Sequence, residues 1–289
     1  MKKWTRIILG VLVLAAVFIW IEVAKSPTAD ISDQNAHLFF FSVGQGDSEL
    51  IQKGNIQVLI DGGPDDRVLS ELGKVMPVSD RKIETVILTH PHADHITGLN
   101  SILDRFEIGT IYYTGVSSDS NAYKEFLAKV KKKNILLKIP QTGEVDNLFS
   151  NGVLTFLWPG EKFNGQNLEN LNNSSEVVSF CYFSHCSLYL GDIETDEQAP
   201  MISYYSNKDA LHTEILKIAH HGSVNGTNQT ILDAVKPAYA VIEVGADNMY
   251  GHPHASTIDL LNKNNIKYFR TDRDGTVEFV VNETAIINK

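Results

Sequence analysis

The stretch VILTHPHADHITG, residues 86–98, sets three histidines and an aspartate into six positions directly after an apolar, β-branched run. Val86 to Leu88 read as a buried strand, and Ala93 opens a helix immediately afterwards. His90 and His92 are two residues apart, the spacing that lets an extended segment present both on one side to a single ion. Asp94 and His95 fall where the helix starts, turned away from that pair and placed to bind a second ion. Imidazole and carboxylate groups suit zinc, and a more oxygen-rich set shifts the balance toward manganese or iron.

Seven of the ten histidines fall in three tight groups: His90, His92 and His95; His220 and His221; His252 and His254. Each group follows a predicted strand, where loops converge on one edge of a sheet. His37, His185 and His212 stand alone and read as ordinary surface or core residues. Asp192, in YLGDI, can set a carboxylate between two cations that otherwise repel. Metal pairs of this kind sit about 3.5–4 Å apart, activate a water and hold the leaving oxygen. Asp61, in LIDGGP, fits a turn cap on its local pattern. Asp47 and Ser48, in GQGDS, either brace the site or shape a turn.

At 289 residues and 43% apolar content the chain can bury a full core, as one large domain or two small ones. Its formal charge of −10 opposes polyanion binding over the whole surface and leaves that task to a local positive site, which a metal centre could supply. KVKKK, from Lys129 to Lys133, reads as a solvated helix end, with a nucleic acid backbone contact as the alternative. Cys181 and Cys186 lie five apart in a strand-like stretch, so a two-residue period points them to opposite faces, and buried packing is expected rather than a disulfide.

The first 25 residues differ in kind. Lys2, Lys3 and Arg6 precede IILGVLVLAAVFIWI, an uncharged apolar run ending at Ile21. No clean cleavage site follows, so an uncleaved single-pass anchor is expected over residues 1–25, with secretion after cleavage as the alternative. A basic flank held in the cytoplasm sends the rest of the chain to the outer face. Residues 26–35 read as a polar linker, and residues 36–289 as the folded domain.

Within that domain strands and helices alternate. HLFFFSV, SELIQK and IQVLID read as consecutive strands, DRVLSELGKVM as a helix, and strand–helix alternation runs on through TVEFVV near the C-terminus. Two successive units of this kind suggest two sheets packed face to face with helices outside.

HPHADH after VILT, LIDGG upstream and LGD downstream resemble the metallo-β-lactamase superfamily. That resemblance implies an αβ/βα four-layer sandwich with a dinuclear metal site at one edge. SVGQGDS at Ser42, LNNSS at Leu171, LKIAHHGS at Leu216, VIEVGADNMYGHPH at Val241 and FRTDRDG at Phe269 look like the extracytoplasmic hydrolase domain of ComEC competence proteins. The likeness runs from about His37 to Val281. Full-length members of that family carry a multi-helix DNA-uptake channel, whereas one apolar segment exists here.

The resemblance implies that His90 and His92 hold a first metal, that Asp94 and His95 hold a second, and that Asp192 bridges them. One histidine of the 220–221 pair completes the second site. His221 is expected there, because neighbours on a strand face opposite ways, leaving His220 to line the substrate pocket. Asn173 and Ser174 stand where many superfamily members place another first-metal histidine, which implies a weaker first site. Asp61 is expected to orient a ligand histidine.

The function implied is a zinc- or manganese-dependent phosphodiesterase, acting on DNA outside the cytoplasmic membrane through an activated water. Asp94 orients that water, and His254 or His220 protonates the leaving group. His252 lines the pocket, and Ser223 with the Gly222 backbone offers donors to a phosphoryl oxygen. A DNA-uptake channel is the partner the family suggests. The alternatives are a cell-surface phosphoesterase, such as one releasing phosphorylcholine, and a noncatalytic surface-binding module.

Overall fold

The computed structural model describes residues 2–25, 33–206 and 209–289. In chain order, helix α1 (Lys2–Lys25) is followed by β1 (Ala36–Phe40), β2 (Glu49–Lys53), β3 (Ile56–Ile60), α2 (Arg67–Val75), β4 (Lys82–Leu88) and α3 (Ala93–Arg105). Next come β5 (Glu107–Tyr113), α4 (Asn121–Lys133), β6 (Leu136–Lys138), β7 (Glu144–Phe149), β8 (Gly152–Trp158), β9 (Val177–Tyr182) and β10 (His185–Tyr189). The chain closes with α5 (Thr195–Tyr205), β11 (Ile215–Lys217), α6 (Gln229–Val235), β12 (Tyr239–Ile242), α7 (Ala255–Lys263), β13 (Lys267–Arg270), the short α8 (Thr271–Asp274), β14 (Val277–Val281) and β15 (Ile286–Asn288).

The strands form an eight-stranded sheet, ordered β15-β14-β1-β2-β3-β4-β5-β6, and a seven-stranded sheet, ordered β13-β12-β11-β10-β9-β8-β7. Side chains alternate across each strand. Phe39 and Phe41 face α2, α3 and α4, whose Leu72, Ile96 and Phe126 cover the outer side of the first sheet. Leu38 and Phe40 point the other way and meet Phe156, Phe180 and Tyr189 of the second sheet. Leu188 and Leu216 face outward against Met201 of α5, Ile231 of α6 and Leu261 of α7. Three apolar layers thus separate four layers of structure, the αβ/βα sandwich expected.

Strands β7 and β15 escape the sequence reading for one reason. Both lie at sheet edges and are little buried, so they lack the apolar alternation that announces a strand. The cysteine expectation is overturned outright. Cys181 on β9 and Cys186 on β10 are directly opposed across a hairpin and form a disulfide. The two-residue period applies within one strand, and the turn at Phe183 and Ser184 folds the stretch back on itself.

Residues 2–25 do form the expected N-terminal helix, and its apolar side chains, including Leu14 and Trp20, are exposed. The single-pass crossing expected of it is not supported: among the described residues no helix is long and apolar enough to cross a membrane. Its uncharged run covers roughly 22 Å at 1.5 Å per residue, short of a hydrocarbon layer about 30 Å thick. The linker expected over 26–35 lies, as far as residue 32, outside the described residues.

Candidate metal centre

Strands β3, β4 and β5 run parallel in one sheet and β10, β11, β12 and β13 in the other. The histidine and aspartate groups all follow the C-terminal ends of these strands, where α/β folds gather ligands. Asp61 follows β3 and the HPHADH segment follows β4. Asp192 comes after β10, the paired histidines after β11, and the segment with His252 and His254 after β12.

His95 is fully buried, and its Nδ1 lies 2.7 Å from Asp61 Oδ2. Asp61 also accepts hydrogen bonds from the Thr89 amide and hydroxyl at 2.8 and 2.5 Å. It orients the histidine rather than merely capping a turn, and this leaves His95 Nε2 facing inward, 3.3 Å from Asp192 Oδ2. His221 Nε2 lies 3.4 Å from Asp192 Oδ2 and 3.4 Å from Asp94 Oδ2. Donor atoms of Asp94, His95, Asp192 and His221 all fall within 4.8 Å of one another. Among the described residues neither Nε2, nor Asp192 Oδ1, makes a hydrogen bond, although all are buried.

These residues fit a divalent ion. Buried polar atoms are ordinarily paired. A tetrahedron of ligands about 2.0–2.1 Å from zinc has edges of about 3.3 Å; three of the spacings are close to this, and His95 Nε2 to Asp94 Oδ1 is wider at 4.0 Å. A first site is more sparsely furnished. His90 Nε2 lies 3.1 Å from His92 Nδ1, and the His90 ring packs 4.1 Å from that of His95.

Asn173 and Ser174 do not meet the expectation placed on them. Asn173 Oδ1 accepts the Glu194 amide at 3.1 Å, and Ser174 donates to Leu171 O at 2.7 Å. Their neighbours face the site instead. Asn172 lines the cavity with Nδ2 3.4 Å from His220 Nε2, and Ser175 Oγ lies 3.4 Å from His90 Nδ1 while accepting the Asp192 amide. The 3-10 turn over Leu171–Ser174 leaves Asn173 and Ser174 bonded elsewhere and sets Asn172 and Ser175, on either side of them, toward the site.

The inward position of His221 has a different cause from the alternation expected. His220 and His221 follow β11 in left-handed backbone, φ 50° and 53°, and so does Asp61, φ 53°. Such conformations cost non-glycine residues on the order of 1 kcal/mol each and persist where the surroundings impose them. His221 Nδ1 lies 2.9 Å from Glu243 O and 3.1 Å from Asp47 Oδ1. His220 stays at the cavity wall, its Nε2 3.9 Å from Asp192 Oδ2. His252 lines the same cavity, of about 320 Å³, whereas His254 packs behind it with ring centroids 5.0 Å apart and caps α7. Ser223 turns its Oγ toward the Asn225 amide, away from the cavity.

Beneath the site lies a charge network that the motifs did not reveal. Lys217 is fully buried and pairs with Asp47 while reaching Gly191 O at 3.2 Å. Glu49 and Glu243 are buried beside Asp47. The signal was present: in the two-residue period Lys217 shares a face with Ile215, and Glu243 with Val241, so both charges point between the sheets.

The carboxylates give the centre a strong negative bias. Burial opposes charge on His95 and His221, but Asp192 with Asp61 and Asp94 raises the former, and Asp192 with Asp47 raises the latter to about 10. His90, where burial and His95 act together, is held well below the usual histidine range. Burial, with His221 and His220 nearby, pushes His252 down to about 4. The centre therefore attracts cations, as a metal-binding pocket must.

A two-sheet sandwich with imidazoles and carboxylates converging at one edge defines a metal-binding hydrolase fold. The chain belongs to the metallo-beta-lactamase superfamily, whose family model matches residues 42–245. It is 24% identical over 259 residues to ComE operon protein 3 of Bacillus subtilis, covering 82% of this chain and 32% of that protein. It is 25% identical to competence protein ComA of Neisseria gonorrhoeae, covering 86% and 33%. The chain thus spans about a third of the length of these competence relatives. In fold it matches the metallo-beta-lactamase fold protein YhfI of Bacillus subtilis, with a TM-score of 0.55 and 15% identity over 84% of this chain and 99% of that one.

Proposed function

We propose that the chain is a metal-dependent phosphodiesterase that cuts DNA outside the cytoplasmic membrane. The observation that carries this reading is the convergence of Asp94, His95, Asp192 and His221, whose donor atoms lie within 4.8 Å of one another while His95 Nε2, His221 Nε2 and Asp192 Oδ1 are buried without a hydrogen bond among the described residues. In this reading two ions, zinc or manganese, would be held by this chain, one by His90 and His92 and the other by Asp94, His95 and His221, with Asp192 available to both. When bound, such ions supply an activated water and polarise a phosphoryl oxygen.

The chain's own groups do the rest. Asp94, in the first turn of α3 and partly exposed, orients the attacking water. His220, at the cavity wall with 22% of its side chain exposed, gives the departing alkoxide its proton. His252 is held neutral and lines the substrate side; His254, packed behind it, braces it. Asn172 Nδ2 offers a donor to a non-bridging oxygen.

Two further observations favour the substrate and the location. One relative, of Neisseria gonorrhoeae, is named as a competence protein, which favours DNA among phosphodiesters. The Cys181–Cys186 disulfide suits an oxidising compartment. The test is incubation of the full chain with linear DNA and manganese or zinc. Cutting that needs the metal and disappears in Asp94→Ala and His95→Ala is expected. Release of phosphorylcholine from a cell-wall polymer without DNA cutting would replace this reading with a surface phosphoesterase. Tight DNA binding with no turnover would replace it with a noncatalytic module.

A further inference from the structure

The cavity over the metal centre does not end at the donor residues. It shares Gln45, Ala93, Asp94 and Tyr250 with a larger groove of about 650 Å³ that runs on past Arg67 and Met249. Tyr250 is 59% exposed, and its ring stacks on His252 with centroids 5.7 Å apart. The loop carrying it is braced from within: Asn248 donates to Gly245 O and His252 O at 2.9 and 2.7 Å and accepts the His252 amide at 2.9 Å. An exposed aromatic held this firmly loses little freedom on binding a partner.

Polar groups along the groove are placed to complement an anion. Gln45 spends its Oε1 on the Gly245 amide, while its Nε2 is buried without a partner at the seam of the two cavities. Arg67 binds Asp65 through Nε and Nη2. Its Nη1 edge lies over Gly44, where a Cβ would come within 2.4 Å. That glycine leaves room for the guanidinium. The Asp65 pair is exposed and correspondingly weak, so a phosphate can compete for the arginine. Of the groove's three carboxylates, Asp272 is paired with Arg270, Asp94 belongs to the metal centre and Asp247 stands exposed at the rim.

We propose that this groove seats the nucleotide flanking the scissile phosphate of an unpaired nucleic acid strand, with Tyr250 stacking on its base and Arg67 and Gln45 holding its phosphate. The proposal rests on the phosphodiesterase reading and adds the substrate form. A base inside a duplex has both faces covered by its neighbours, whereas an unpaired base can meet the ring. Aromatic platforms combined with basic side chains are the general means of holding single strands.

The test compares the full chain with Tyr250→Ala, Tyr250→Phe and Arg67→Ala on two substrates, a deoxythymidine decamer and bis-p-nitrophenyl phosphate. Binding of a fluorescent, phosphorothioate-linked decamer is followed by anisotropy. Tyr250→Ala is expected to weaken decamer binding about ten-fold, as for loss of one stacked base, and to raise the decamer KM far more than that of the small diester. Tyr250→Phe, which keeps the ring, restores most of the loss. Arg67→Ala lowers the salt dependence of binding by about 0.7 in the logarithmic slope. Equal KM changes on both substrates, decamer binding indifferent to Tyr250→Ala, or tighter binding of the duplex than of the single strand would overturn the groove assignment while leaving the phosphodiesterase intact. If neither substrate is cut, the phosphodiesterase reading fails, and the anisotropy series still decides the groove.

Discussion

At the residue scale, the centre is a set of bases held ready for a cation. In the metal-free protein the carboxylates around them raise His95 well above the usual histidine range and His221 to about 10, which favours the protonated form of both. A metal needs their lone pairs and must displace those protons. Metal affinity is therefore expected to rise with pH from 6 toward 10, with about two protons released per chain at pH 7. Titration calorimetry in buffers of different ionisation heat measures the release; a pH-independent affinity would mean the two imidazoles are already neutral. Most of these groups were legible because HPHADH places donors at spacings with few structural uses. Asn172 and Ser175 were not, because the 3-10 turn over Leu171–Ser174 decides which side chains face inward, and no periodic pattern records it.

At the scale of elements, strand β11 carries the second support. Lys217 sits between the sheets among Asp47, Glu49 and Glu243, and burial together with Asp47 has pushed Glu49 up to about 8. Removing the lysine leaves the buried Asp47 carboxylate without its cation. Lys217→Ala is expected to lower stability by about 3–5 kcal/mol, read from the midpoint of urea unfolding. A loss below about 1 kcal/mol would mean that the acids neutralise themselves by protonation. The β9–β10 hairpin is tied by a disulfide closing a loop of five residues. Replacing both cysteines with serine is expected to cost about 2 kcal/mol by loop-closure entropy, measured in the same way. Its pairing was hidden from a strand-period argument because the intervening turn, Phe183 and Ser184, carries no glycine, proline or asparagine to announce itself.

At the scale of the whole molecule, the four-layer order was legible because its central strands are buried on both faces or alternate cleanly, and helices with apolar faces follow them. Edge strands β7 and β15 fall outside that logic. Two sheets meeting along one edge bring five loops from distant parts of the sequence together, and the left-handed turns at Asp61 and His220–His221 aim the donors there. The most direct measurement of this account is metal content of the purified full chain by elemental analysis, alongside the Asp94→Ala, His95→Ala double variant. The account predicts two zinc or manganese ions per chain in the parent and at most one in the variant. A parent chain that retains no divalent ion, under any supplied cation, would contradict it.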